Sequence, residues 1–402
     1  MAPAATPRYA VAALIAAAVF AFARHLSAVP GEGRSLAFSL LLGAAFGMVL
    51  QRSRFCFYCI ARDFLLRRET AGPFAVLAAL AAGTLGYHAL FGAFLPIPGD
   101  TRLPPGAHIG PVSLALVAGA FVFGLGMALS GSCISAHLYR LGEGSFASIF
   151  ALLGAAAGFV LGFLSWNPLY LAMIQQAPVP WLPHYLGYGG SALLQCAALG
   201  GIAMWLARAG PSAGAAAASP PTLGQAIFRD RWPPAVGGIL VGFIGVLAYL
   251  RVAPLGVTAE LGSLARTAAS SAGWLPARLE GLDGFAGCAT AVKQALWSNN
   301  GVFVLALVAG AWASALGAGA FRPRWPSAGG IARSLAGGVL MGWGGMTALG
   351  CTVGTLLSGI MAGAPSGWVF AAACLAGIAG ALKAGAWLGR AIRPGSRPSA
   401  PG

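Results

Sequence analysis

Ten apolar runs, each close to the length that spans hydrocarbon, follow one another along the chain: 9–29, 35–51, 73–95, 111–130, 145–165, 189–208, 234–250, 300–320, 329–349 and 367–388. About 20 apolar residues cross a bilayer core as a helix. In lipid every backbone polar group must be paired internally, so runs like these have to be helical. The charge content points the same way. The 402 residues carry 24 Lys or Arg and 9 Asp or Glu, which is 8% of the chain, against roughly 25% in a soluble domain. So few charges cannot build a polar shell around a protein of this length. The lipid bilayer is therefore the expected solvent, and a cytosolic enzyme, a disordered protein and a DNA-binding module are all excluded. The net charge of +15 would suggest nucleic acid in a soluble chain. Here it reads as basic loops on one membrane face, with no nucleic-acid partner expected. The 60 glycines suit membrane helices in close contact. The seven cysteines sit in apolar or Gly-rich surroundings and do not read as a disulfide framework.

Orientation follows from the basic residues. With the N-terminus inside, the inside segments hold 16 of them, among them Arg8, Arg52, Arg54, Arg140, Arg322, Arg324 and Arg393, and the outside segments hold 7. This predicts two cytoplasmic termini in a cell inner membrane. The first run has only Arg8 before it and is long for a signal sequence, so it is expected to remain as a helix. The stretch AGPSAGAAAASPPTLG (209–224) is linker-like. The expected organisation is an extra N-terminal helix (1–34), a first half (35–208), a cytoplasmic linker (209–233), a second half (234–390) and a tail (391–402).

Three segments share one frame: GMVLQRSRFC (Gly47–Cys56), GLGMALSGSC (Gly124–Cys133) and GWGGMTALGC (Gly342–Cys351). In each, a Gly on an apolar helix precedes a Cys by nine residues. A fourth copy is degenerate: Gly242 is followed nine residues later by Arg251 and then by APLGVT. Each half thus holds two units, and the predicted orientation turns them toward opposite faces. Inverted repeats of this kind build many transporters, with the substrate at the repeat interface. A lone Gly is most often a packing position and a lone Cys a small core residue. Recurrence at identical spacing favours function. The expected fold is an all-α polytopic membrane protein with about ten transmembrane helices plus short re-entrant helices, arranged as two inverted pseudo-symmetric halves.

The segments QRSRFCFYCIARD (51–63), GLGMALSGSCISAHLYRLGEGS (124–145), FRDRWPPAVGGILVGFIGVLAYL (228–250), PLGVT (254–258) and GGVLMGWGGMTALGCTVGTLLSG (337–359) resemble the YeeE/YedE family of sulfur-transport membrane proteins. The resemblance runs from about residue 35 to 390. It implies two pseudo-symmetric halves with short helices dipping in from each side, import of thiosulfate, and three pathway cysteines mapping onto Cys56, Cys133 and Cys351. It also raises a soluble cytosolic sulfur-carrier protein as a partner. The chain departs from the family in its 9–29 helix, in Cys59 beside Cys56, and in the 263–295 region with Cys288.

Thiols suit such a cargo. Thiosulfate is a small dianion with one soft terminal sulfur, and bare transfer into hydrocarbon is prohibitive. A path must replace its water without holding it too tightly. An arginine in the path would bind it strongly, whereas a thiol is a weak, neutral, polarizable donor. Half-helix N-termini add partial positive charge and free N–H groups. Gly131, Gly350 and Gly354 would let that backbone come close.

Other residues have plainer readings beside the functional ones. Cys56 and Cys59 form a CxxC, which would serve a membrane thiol–disulfide oxidoreductase but also fits two thiols one helical turn apart. His137 lies one turn after Cys133, placed either to support the path or to pack. Arg62–Asp63 and Arg140–Glu143 read as salt-bridge anchors, and Cys196 and Cys374 as core. Trp166, Trp181, Tyr185 and Tyr188 read as an interfacial belt. Three spaced thiols would also suit a copper transporter, but Met-rich stripes and His-rich loops are missing. The leading expectation is a transporter rather than an enzyme, with no cofactor and no metal, carrying a small sulfur-containing anion.

Overall fold

In the computed structural model the described residues are 6–99, 102–209, 230–282, 292–293 and 297–392. Cys288 and most of the 209–233 linker lie outside them. Helices form where the apolar runs were read. They are α1 (Thr6–Ser27), α2 (Gly33–Ser53), α3 (Phe57–Arg67), α4 (Ala71–Phe94), α5 (Leu114–Ser130), α6 (Ile134–Gly142), α7 (Ala147–Leu164) and α8 (Leu182–Ala209). After the linker come α9 (Pro234–Arg251), α10 (Val257–Ser271), α11 (Asn299–Gly317), α12 (Ala328–Thr347), a π-helical turn (Thr352–Ser358) and α13 (Pro365–Ile392). Among the described residues nine helical stretches are long and apolar enough to cross a membrane, and ten when α12 is joined to its continuation, bent by 42°. The protein is an all-α, multi-pass membrane protein.

Several helices start where a serine side chain takes up an otherwise unpaired first-turn N–H. Ser113 accepts from Leu116 N–H at 3.0 Å, Ser298 from Gly301 at 3.1 Å and Ser327 from Gly330 at 3.2 Å. The short helices α3, α6 and α10 and the π-helical turn each follow a long helix after a break of a few residues. The chain turns at those breaks through left-handed backbone, at Arg54 (φ 51°), Gly131 (φ 82°) and Leu349 (φ 54°).

The two halves pack reciprocally. Helices α2, α3 and α4 correspond to α9, α10 and α11, and α5, α6 and α7 to α12, the π-helical turn and α13. Helix α2 packs on α11 as α9 packs on α4, and α5 packs on α13 as α12 packs on α7. The equivalent helices α5 and α12 lie against each other and run in opposite directions, with Gly119 facing Gly344 and Gly126 facing Gly337. Likewise Ser53 of α2 meets Gly237 of α9, while Leu42 and Ala248 share a cavity wall further along. Equivalent helices that run antiparallel make the halves inverted.

The four glycines of the repeated frame explain this packing. An added Cβ would overlap the carbonyl oxygen of Leu307 at Gly47, of Cys374 at Gly124, of Ala79 at Gly242 and of Ala155 at Gly342. Each is therefore the point where a helix of the other half crosses at backbone contact, as small residues allow between membrane helices. The extra helix α1 leans on α2 and α11. Its Ala23 and Leu26 share a small core with Ala37, Leu40, Val302 and Ala306.

Two expectations are corrected. Trp166 and Trp181 are not interfacial anchors. Both are buried, and their indole N–H groups donate to the carbonyls of Glu280 and Ala362, each at 2.8 Å. They lock loops onto the helical core, and only Tyr185 of that set is broadly exposed. Arg140 and Glu143 do not form the expected anchor pair. Glu143 accepts instead from Gln51 Nε2 at 3.1 Å.

Candidate functional site

Each break ends on a residue that begins the next short helix, and in three of the four units that residue is a cysteine. Cys56 caps α3, Cys133 caps α6 and Cys351 caps the π-helical turn, all three in extended backbone. Gly256 holds the corresponding place before α10. A capping residue lies beside the unpaired N–H groups of the first turn, so each thiol sits where a helix end is partially positive. All three are buried and belong to one continuous core together with Cys374.

Cys56 and Cys133 meet, with sulfur atoms 3.9 Å apart. Cys56 Sγ also accepts from the Cys59 N–H at 3.5 Å, and Cys133 Sγ lies 3.3 Å from Ser135 Oγ. The neighbour of the Cys56 thiol is thus Cys133, brought from another helix. Cys59 takes a different partner: Arg140 Nη2 donates to its sulfur at 3.2 Å. Arg140 Nη1 also lies 3.3 Å from the Gly131 carbonyl, so one guanidinium ties α3 to the break before α6.

Gly131 adopts left-handed backbone at φ 82°, which an L side chain would strain. Gly350 is required for space, since a Cβ there would strike Thr355 Oγ1. Gly354 lies buried within the π-helical turn. His137 is buried on α6, with Nδ1 3.3 Å from Ser148 Oγ on α7. Its Nε2 has no hydrogen-bond partner among the described residues. Cys196 is half-buried on α8.

Two cavities with shared walls open near Arg140, and one of them reaches Cys59. One, of about 590 Å³, is lined by Gln51, Arg52, Arg54, Arg140, Arg322 and Arg324, among others. The other, of about 380 Å³, reaches Cys59, Arg62 and Tyr139. They share Arg54, Arg140, Glu143 and Arg231. Together they form a basic vestibule ending at Cys59 and Arg140. The breaks of the second half are tight by contrast. Cavities of about 10 Å³ lie beside Leu349 and Thr355 and beside Pro254 and Gly256, each with room for about one water.

The repeated frame marks the three thiols at the ends of equivalent units, whereas Arg140 joins the Cys59 thiol only in the fold. The signal was available. Arg140 lies seven residues, or two helical turns, after Cys133 and so shares its face. The degenerate fourth unit has its own chemistry. Glu260, buried on α10, pairs with Lys293 and accepts from Ser298 Oγ at 2.9 Å. This network fastens residues of the 263–295 region and the start of α11 to the half-helix that lacks a cysteine.

Comparison with known proteins fits this architecture. The family model described as sulphur transport matches residues 52–380. The chain is 29% identical over 347 residues to the thiosulfate transporter TsuA of Spirochaeta thermophila, covering 82% of this chain and 93% of that protein. It is also 29% identical over 345 residues to the thiosulfate transporter TsuA of Escherichia coli, covering 78% of this chain and 84% of that one. The matched range contains all three cysteines and most of both halves, and the chain belongs to the sulphur transport (YeeE/YedE) family.

Proposed function

We propose that this protein takes up thiosulfate, or a closely similar sulfur anion, across the cell inner membrane along a central path formed by Cys56, Cys133 and Cys351. The two thiosulfate transporters that it resembles over most of their length support the cargo. The observation that carries the path is the place of the thiols: three buried cysteines, each at the start of a short helix, in one core. Such a site offers a weak S–H donor, a polarizable sulfur and backbone N–H groups together, which suits a dianion with one soft atom. The basic vestibule supplies the solvated end of the route, where positive potential concentrates anions. Arg140 stands at its inner limit, so the strong cation lies at the mouth and the neutral thiols lie further in. Gly131, Gly350 and Gly354 keep the turns tight enough for backbone to face the path, while Cys59 and His137 support it. The halves 35–208 and 234–390, joined through the 209–233 linker, are the two pieces whose interface the anion crosses. A cytosolic sulfur-carrier protein would receive the anion on the vestibule side.

The test is uptake of ³⁵S-labelled thiosulfate by liposomes holding the purified protein. Accumulation above empty liposomes is expected, with a large excess of sulfate competing poorly, since sulfate offers no soft sulfur. Absence of uptake would remove the transport reading, and equal competition by sulfate would remove the role given to the thiols.

A further inference from the structure

Helix α1 lies outside the family match, which begins at residue 52, and it creates a feature of its own. Between α1, α2 and α11 runs a crevice of about 630 Å³, walled mainly by Ala13, Ala16, Val19, Met48 and Ala313. A crevice between membrane helices with apolar walls is a place for an acyl chain. Its end is not apolar. Arg52 closes it and also lines the basic vestibule. Arg52 is 4% exposed. One of its terminal nitrogens donates to the Asp230 carbonyl, while its Nε finds no partner among the described residues. Arg8, at the start of α1, lies against Gly319, another residue of that vestibule wall. Its Nε is likewise buried and unpartnered among the described residues. Arg52 therefore stands at the charged end of an apolar slot and Arg8 begins the helix that walls it, each with a buried Nε that has no partner among the described residues.

We propose that this crevice binds one anionic phospholipid, its acyl chain along α1 and its phosphodiester against Arg8 and Arg52. A guanidinium fork matches phosphate oxygens in geometry and charge. Basic pockets between membrane helices select anionic headgroups, because a zwitterionic lipid brings its own competing cation. Helix α1 then acts as one wall of a lipid site, fixing lipid beside the vestibule.

Full-length protein reconstituted from phosphatidylcholine vesicles containing phosphatidylglycerol, then released and weighed by native mass spectrometry, tests this. One retained phosphatidylglycerol per chain is expected, in preference to phosphatidylcholine. Arg8→Gln, which removes a headgroup contact, should lower retention about tenfold, as loss of one charge-assisted contact would, and Ala16→Phe, which fills the slot, should lower it at least as far. Thermal unfolding in pure phosphatidylcholine checks that both variants fold like the wild type. The proposal fails if both folded variants keep phosphatidylglycerol at the wild-type level, or if phosphatidylcholine is held equally well. It also fails if inorganic phosphate displaces the adduct, which would assign the arginines to a free anion.

Discussion

Cys56 shows how one side chain can serve two purposes. Its sulfur receives the Cys59 N–H and faces the Cys133 thiol, so it closes the first turn of α3 while remaining in contact with a second half-helix. If the anion takes the proposed path, replacing Cys56, Cys133 or Cys351 by Ala removes a donor from a dehydrated route. A lost buried hydrogen bond to a charged group costs about 1.5–3 kcal/mol, or roughly ten- to more than a hundredfold in rate where it falls on the barrier. Ser keeps the donor and loses the polarizability, so its uptake should fall between Cys and Ala. Cys196, half-buried on α8 and apart from that core, should tolerate Ala with uptake near wild type. Uptake at matched expression reads all four positions, and full activity in the Cys56/Cys133/Cys351 triple Ala variant would reduce the thiols to packing. The thiols were legible in the sequence because they recur at one spacing. Arg140 was hidden because its nearest charged neighbour in sequence, Glu143, suggested a pair. In the fold Glu143 turns to Gln51, and the freed guanidinium reaches Cys59.

Among the elements, the repeated unit is a long helix, a break and a short helix, and its two marked residues have separate duties. The Gly sets how closely the other half can approach, and the Cys nine residues later caps the short helix. Leu at Gly47 or Gly342 would drive a side chain into the carbonyl of Leu307 or Ala155. Backbone cannot yield as a flexible side chain does, so the cost should reach or exceed the usual overpacking penalty of about 1–3 kcal/mol. Both variants should unfold at lower temperature in detergent. The control is Gly329, whose added Cβ meets nothing within 4 Å and where Ala should leave the midpoint unchanged. Equal midpoints for all three would mean that the crossings are not set by these glycines. The spans were legible because lipid leaves an apolar run little choice but helix. The buried roles of Trp166 and Trp181 were not, because position near a span end looks the same for an anchor as for a residue folded inward onto a loop carbonyl.

For the whole molecule, the inverted arrangement was legible from the frame alone, since units at matching places in two halves of opposite predicted orientation imply it. What the frame did not contain was the gathering of charge. Arg52, Arg54, Arg140, Arg322 and Arg324 come from segments far apart in sequence, all counted on one side by the basic-residue tally. In the fold these five line a single cavity together with Arg231. That convergence places them on one face independently of any topology rule. The positive-inside bias predicts that this face is cytoplasmic, and the same rule leads us to expect the 209–233 linker on that side. A fluorescent-protein fusion at Ala215 should therefore fluoresce in cells, and an alkaline phosphatase fusion at the same place should be inactive. The reverse pair of results would turn the protein over in the membrane. The vestibule would then face outward as an anion-collecting entrance, the tight second-half breaks would mark the cytoplasmic end, and a cytosolic carrier would have to dock on that opposite surface.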